Sequence, residues 1–168
     1  MPHAAEDYLF FWKPEQEHGW ASQWYPSTFV DEKGITYPTA EHYMMYQKAI
    51  LFSDPNPQIL EATDPKTVKQ LGRAIHNFTD EVWNAHRSEI VIRGNMLKFG
   101  QNQDLRQQLL ATGDKVLVEA SPLDKIWGIG KGKERALDDK SSWGLNLLGL
   151  ALMDVRKQLR EKEDASRL

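Results

Sequence analysis

Two ionisable side chains stand seven positions apart in the stretch TAEHYMMYQKA, Thr39 to Ala49: Glu41 and Lys48. If Thr39 caps a helix, Glu41 falls in its first turn, where unpaired backbone N–H groups and the helix dipole favour an ionised carboxylate. Lys48 then lies two turns on, displaced by about 20° around the axis and about 10 Å along it. The two share a face but exceed the three- or four-residue spacing of a helical salt bridge. A polar ligand lying along the helix would serve both; the plainer alternative is a surface helix with both charges solvated. Tyr37, Tyr43, Met44, Met45 and Tyr46 surround the pair with apolar bulk and leave few faces for water. A lysine buried among such groups is pushed toward its neutral form, and a neutral amine is a nucleophile able to form a Schiff base with an aldehyde.

The elements that must position this pair are short strands and longer helices. Tyr8 to Trp12 reads as a strand ended by Lys13-Pro14, and Phe29-Val30 with Ile35-Thr36-Tyr37 reads as a hairpin around Asp31-Glu32-Lys33-Gly34. Pro38 ends the extended stretch, and Thr39 opens a helix running to about Phe52. Asp64-Pro65 starts another, with Val68, Leu71 and Ile75 on one face. A long helix is predicted from Asp80 to about Phe99, where Gly94 implies close packing or a kink, and a further one from Asp104 to Ala111, stopped by Gly113. Val116 to Val118 is a buried strand candidate that leads into Ser121-Pro122 and a glycine-rich loop. Asn146 to Leu159 forms the closing helix, with a charged tail after Arg160 expected to fray. The fold class is α+β, predominantly helical, with a small sheet of short strands.

With 168 residues, 40% of them hydrophobic, the chain has enough apolar mass for one domain with a real core, and two independent domains would be crowded. A formal net charge of −3 argues against a broad basic surface for gripping long nucleic acid, while leaving room for local contacts to a nucleotide. Cysteine is absent, which removes disulfides, a thiolate nucleophile and Cys-ligated zinc, and suits a reducing compartment. Met1 to Glu6 lacks a signal-peptide pattern and no segment reaches transmembrane length, so an intracellular protein, cytoplasmic or nuclear and without a membrane partner, is expected. His3, His18, His42, His76 and His86 are scattered and form no metal-ligand spacing. His42 points about 100° away from Glu41 and is read as a local packing or capping group. WGIGKGK, Trp127 to Lys133, invites a phosphate-loop reading but fails both the Walker and the dinucleotide-binding patterns.

The segments GITYPTAEHYMMYQKAILF, EHGWASQWYPSTF, KQLGRAI, RGNMLKFGQNQDLRQQLLATGDKVLVEASPLDKIWGIG and NLLGLALMDVR together resemble the NADAR, or YbiA-like, family, in the expected order from about Phe10 to Arg156. The resemblance implies a YbiA-like fold over a single domain, residues 1–168, and N-glycoside hydrolysis. Members release ADP-ribose from modified guanine, and others act on ribosylamino intermediates of riboflavin synthesis. Carried over by motif, EHY and QKA supply Glu41 and Lys48 as catalytic residues, and the D-x-x-W-G segment supplies Asp124 and Trp127. Asp124 would orient a ribose hydroxyl or Lys48, unless it is simply a turn residue after Pro122. Trp20, Trp83 and Trp127 are candidates for stacking on a base, with core packing as the alternative. Tyr43, Arg73, Arg87, Gly128 and Gly130 complete the substrate-binding set, the arginines facing phosphates or pairing with acids, and Lys131 and Lys133 are replaceable charge donors on the same loop. The chain departs from the family pattern at Ser22-Gln23-Trp24-Tyr25-Pro26, where many members read SNFYP, and in the stretch Lys131 to Ser142.

The implied substrate is an ADP-ribose-containing or ribosyl-nucleotide molecule, with ADP-ribosylated DNA or RNA among the partners. Breaking a C–N glycosidic bond develops positive charge at the anomeric carbon, which a carboxylate such as Glu41 stabilises or attacks through an activated water. The helix N-terminus suits Glu41 to that part better than to proton donation. Lys48 would attack the anomeric carbon or the opened aldehyde. The hydrolysis calls for no cofactor and no metal. A module that binds ADP-ribose without cleaving it is the alternative of a different class.

Overall fold

Local signals decide most of the elements. The structure, a computed structural model, describes residues 4–167, so His3 and the first residues of the N-terminal tail lie outside it. In chain order the elements are β1 (Tyr8–Phe11), β2 (Phe29–Val30), β3 (Thr36–Tyr37), α1 (Ala40–Leu51), α2 (Gln58–Glu61), α3 (Pro65–Arg73), α4 (Asp80–Gln101), α5 (Gln103–Ala111), β4 (Val116–Glu119) and α6 (Leu147–Ser166). The class is α+β and predominantly helical. No helix among the described residues is long and apolar enough to cross a membrane. The chain groups into two compact units, residues 23–102 and residues 4–22 with 103–167.

In the unit of residues 23–102, β2 and β3 pair antiparallel with Phe29 opposite Tyr37. Asp31 builds their turn: its Oδ1 accepts from the amides of Lys33 and Ile35, both at 2.9 Å, and its Oδ2 accepts from the Tyr37 hydroxyl at 2.8 Å. Gly34 supplies the positive φ of 83° that the turn requires. Phe29 stacks on Tyr37, and Tyr43 of α1 meets the Tyr37 ring edge-on at 5.0 Å between centroids. Helix α1 is then gripped between α3 and α4, and two glycines set how closely. A Cβ on Gly94 of α4 would sit 2.6 Å from the Tyr43 ring, and one on Gly72 of α3 would overlap the Met45 sulfur. Gly94 thus marks close packing. Helix α4 also buries two polar side chains completely, Asn95 and Lys98. Asn95 Nδ2 donates to Gln23 Oε1 and to the Val91 carbonyl, both at 2.9 Å, while its Oδ1 is left without a donor. The Lys98 amine lies 5.0 Å from the Phe99 ring centroid and 5.9 Å from that of Tyr25.

In the other unit β1 and β4 run parallel, from Tyr8 opposite Val116 to Phe11 opposite Glu119. Their core side gathers Tyr8, Val118, Ile129 and Ala136, with Trp143 against them. Asn146, in the left-handed region at φ 52°, starts α6 and ties it to β4: its Nδ2 donates to the Leu117 carbonyl and its Oδ1 accepts from the Glu119 amide, both at 3.0 Å. Buried Arg156 of α6 donates to Thr112 Oγ1 and to the Lys115 carbonyl. The charged tail after Arg160, where fraying is expected, is helical to Ser166, with tertiary partners along it. Arg160 donates to the Gly113 carbonyl at 2.8 Å, and Glu163 pairs with Arg106 at 3.5 Å.

Candidate active site

The start of α1 is fixed from three directions. Thr39 Oγ1 accepts from the His42 amide at 3.2 Å, as an N-cap does. The Glu41 amide, also in the first turn, donates to the Gln23 carbonyl at 3.0 Å, so the backbone carrying the carboxylate is pinned to the strand-leading segment. The His42 ring is wholly buried, with Nε2 2.7 Å from the Ala62 carbonyl and Nδ1 2.7 Å from Thr39 Oγ1. A carbonyl can only accept, so Nε2 carries the proton and Nδ1 accepts from the threonine hydroxyl. Burial lowers the His42 pKa, with the Ala62 bond working against that shift. His42 is therefore a neutral clamp, in line with the packing and capping role expected of it.

Glu41 is buried, at 6% exposure, while Lys48 is half-buried. The Lys48 amine donates to the Gly72 carbonyl at 3.1 Å, and it lies 4.7 Å from the Phe78 ring centroid and 5.2 Å from that of Trp83. Gly72 therefore does two things, admitting α3 close to α1 and offering its carbonyl to the amine. Burial draws the Lys48 pKa down; the Glu41 carboxylate opposes that, Arg73 reinforces it and Asp80 opposes it again. Glu41 and Lys48 are thus electrostatically coupled along one helix, and the amine is drawn toward the neutral form that a nucleophile needs.

Among the substrate-binding candidates, Tyr43, Arg73, Trp83 and Arg87 belong to the unit of residues 23–102, which carries the Glu41–Lys48 pair. Trp83 is buried, with its ring beside the Lys48 amine. Arg73 is exposed in the last turn of α3, next to Gly72, and Arg87 is half-buried one turn beyond Trp83. Tyr43 is buried in the aromatic core between Phe29, Tyr37 and Gly94, where burial raises the pKa of its hydroxyl. Phe78, Asp80 and the Gly72 carbonyl were not singled out by sequence. Phe78 had a signal available: it directly precedes the Thr79 cap of α4, with Trp83 five residues on, the two positions of a hydrophobic staple.

Trp20, Asp124, Trp127, Gly128 and Gly130 belong to the other unit. Trp20 sits buried in a short 3-10 turn, Gly19–Ala21. Asp124 is half-buried, and its Oδ1 accepts from the amides of Ile126 and Trp127 at 2.8 and 2.9 Å, so it shapes the turn that sets the half-buried Trp127 in place. The glycine-rich segment is laced rather than loose. The Ile129 amide donates to Glu119, and the carbonyls of Ile126, Trp127 and Gly128 accept from Leu147, Leu148 and Asn146. Next to it Pro122, Gly130, Lys131, Gly132, Arg135, Asp138 and Asp139 line a cleft of about 430 Å³, in which the Lys131 amine donates to the Asp139 carbonyl. Lys133 lies exposed beyond it.

Comparison with known proteins agrees with this arrangement of elements. The NADAR domain model matches residues 10–160. An N-glycosidase of Acanthamoeba polyphaga mimivirus is 45% identical over 145 residues, covering 82% of this chain and 85% of its own. A riboflavin biosynthesis protein of Vibrio vulnificus is 34% identical over 158 residues, covering 93% of this chain but 40% of its own. The NMR structure of the E. coli protein YbiA matches with a TM-score of 0.74 at 28% identity, over 96% of this chain and 90% of that one. With a family match over most of its length and a YbiA-like fold, the chain belongs to the NADAR domain family.

Proposed function

We propose that this protein is an N-glycosidase that hydrolyses a ribosyl C–N bond and releases ADP-ribose from ADP-ribosylated guanine in nucleic acid or nucleoside. The observation that carries the proposal is the coupling on α1 of a buried carboxylate, Glu41, to an amine whose pKa burial lowers, Lys48. The mimivirus relative, itself named an N-glycosidase, supports the reaction class.

The chemistry follows from those two groups. As the C–N bond lengthens, its electron pair leaves with the base nitrogen, which takes up a proton from solvent, and positive charge gathers at the anomeric carbon. Glu41 stabilises that charge electrostatically, which a buried and preorganised carboxylate does better than one in water. The neutral Lys48 amine then bonds to the anomeric carbon. As one amine proton passes to the ring oxygen, the ring opens to a protonated imine, which water attacks to return the sugar aldehyde, the free amine and a proton to solvent, so that the net change is addition of one water across the C–N bond. In the simpler route water attacks the anomeric carbon directly and Lys48 serves as a charge partner of Glu41. Asp124 acts at one remove, holding the Trp127 turn.

The test is mass-spectrometric detection of free ADP-ribose after incubation with a guanine-ADP-ribosylated oligonucleotide, alongside Glu41→Gln and Lys48→Ala. Release by the parent with loss in both variants is expected; no release from an intact, folded parent refutes the substrate. Borohydride trapping of product on Lys48 separates the imine route from direct hydrolysis. A protein that only holds ADP-ribose would keep its affinity in Glu41→Gln and have no turnover to lose. The similarity to the Vibrio riboflavin biosynthesis protein favours a second reading, hydrolysis of a phosphorylated ribosylamino-pyrimidine, and the same variants assayed on that substrate test it.

A further inference from the structure

We infer that Phe78 is the platform on which the flat base of the substrate rests beside Lys48. This deepens the proposed N-glycosidase function and rests on it. Both substrates considered have a planar heteroaromatic leaving group, so the inference concerns the shared ring chemistry. Two aromatic rings flank the Lys48 amine, and they differ in the surface they offer. Trp83 is 7% exposed and Phe78 is 39% exposed. A ligand ring can therefore cover Phe78 to a degree that Trp83 does not permit. Phe52, buried at the end of α1, packs against Phe78 with ring centroids 5.3 Å apart and planes tilted by 51°, and Val82, as exposed as Phe78, stands in the first turn of α4.

The segment that presents Phe78 is fastened residue by residue. The His76 amide and ring Nδ1 lie 2.8 and 3.2 Å from Asp54 Oδ2. Asn77 adopts a left-handed φ of 64° and donates from Nδ2 to the Phe52 carbonyl at 3.3 Å. Thr79 caps α4. A staple needs only apolar bulk at this position, and any aliphatic side chain supplies it. An aromatic ring held rigidly, two-fifths open to solvent and 4.7 Å from the candidate nucleophile, instead suits stacking, with its ordering cost met before the ligand arrives. A base resting there brings its glycosidic bond to the end of the helix face where Lys48 works.

The probe is guanosine 5′-monophosphate, titrated by saturation-transfer NMR against the full chain, Phe78→Leu and Phe78→Tyr, each first checked for an unchanged thermal melt. The expected result is that Phe78→Leu weakens binding about tenfold, within the range of stacking on an aromatic, and Phe78→Tyr restores it. Equal affinity of the parent and Phe78→Leu, or no binding by the parent at millimolar nucleotide, overturns the inference, because a purely structural staple is satisfied by leucine. The ADP-ribose release assay keeps the two ideas apart. A parent that hydrolyses while Phe78→Leu retains parental KM and nucleotide affinity leaves the glycosidase standing and removes the platform. A parent that binds nucleotide through Phe78 but releases no ADP-ribose does the reverse.

Discussion

Lys98 offers the most direct measurement, because its whole side chain is out of water and burial lowers its pKa from 10.5 to about 7. Between those two values the unfolded chain holds a proton on this amine that the folded chain has released, so stability rises with pH across the window and is flat below it. Integrating between pH 7.5 and 9.5 gives a gain of about 2–3 kcal/mol from this one group. Lys48, also lowered, contributes in the same direction. Tyr37 and Tyr43, whose hydroxyls are raised by burial, act in the opposite sense only above the ordinary tyrosine range, which is why the window stops at 9.5. Urea unfolding at pH 7.5, 8.5 and 9.5 reads the gain in the parent. Lys98→Met keeps the stem and removes the titration, so its free energy should rise by about 2–3 kcal/mol less over the same interval. Parallel pH dependences in parent and variant would refute the reasoning, since Lys98 would then be charged in the folded protein.

Three further outcomes follow from the same structure. Removing the Glu41 charge takes away the largest influence opposing the burial of Lys48, so Glu41→Gln should lower the pH midpoint for reductive alkylation of Lys48 by glycolaldehyde and cyanoborohydride, while Arg73→Gln should raise it; unchanged midpoints in both would disprove the coupling. His42 is buried neutral, so the unfolded chain takes up its proton first as the pH falls through about 6.5 and stability declines there. His42→Leu should cost about 3 kcal/mol at pH 7, by orphaning the Ala62 carbonyl and the Thr39 hydroxyl, and should flatten that acid decline in urea titrations at pH 7 and 5.5. Gly94→Ala gains about 1 kcal/mol of helix propensity but forces a methyl to within 2.6 Å of the Tyr43 ring, so a net loss of about 1–2 kcal/mol is expected, and a higher melting temperature would contradict the packing.

What the sequence revealed was what neighbouring residues decide. Thr39 and Asp64-Pro65 cap α1 and α3 as expected, and the Asp31 turn joins β2 to β3, because each depends on contacts within four or six residues. Helix α2 escaped notice, since its four residues follow Pro55 and Pro57 and show no periodicity. The parallel pairing of β1 with β4 joins Tyr8 to Val116 across most of the chain, and no local pattern encodes it. The helical course of the α6 tail past Arg160 escaped the sequence for the same reason, its partners Gly113 and Arg106 lying far back in sequence. At the candidate site the identities of Glu41 and Lys48 were legible, but their surroundings were not. That Gly72 offers its carbonyl to Lys48, and that Phe78 and Trp83 flank the amine, depends on how α3 and α4 close against α1.

That dependence bears on the placing of both proposed catalytic groups on one helix. Had Glu41 and Lys48 stood on separate loops, their spacing would vary with loop motion and the field of one at the other would vary with it. On α1 the helix itself fixes their separation, and the Gln23 carbonyl, the Thr39 cap and the His42 clamp fix its first turn. Two glycines then bring α3 and α4 close enough to bury the amine. Burial disfavours the charged form of the amine, and the Glu41 carboxylate opposes that shift. The proposed use of Lys48 as a nucleophile draws on that opposition, desolvation lowering its pKa against the Glu41 field.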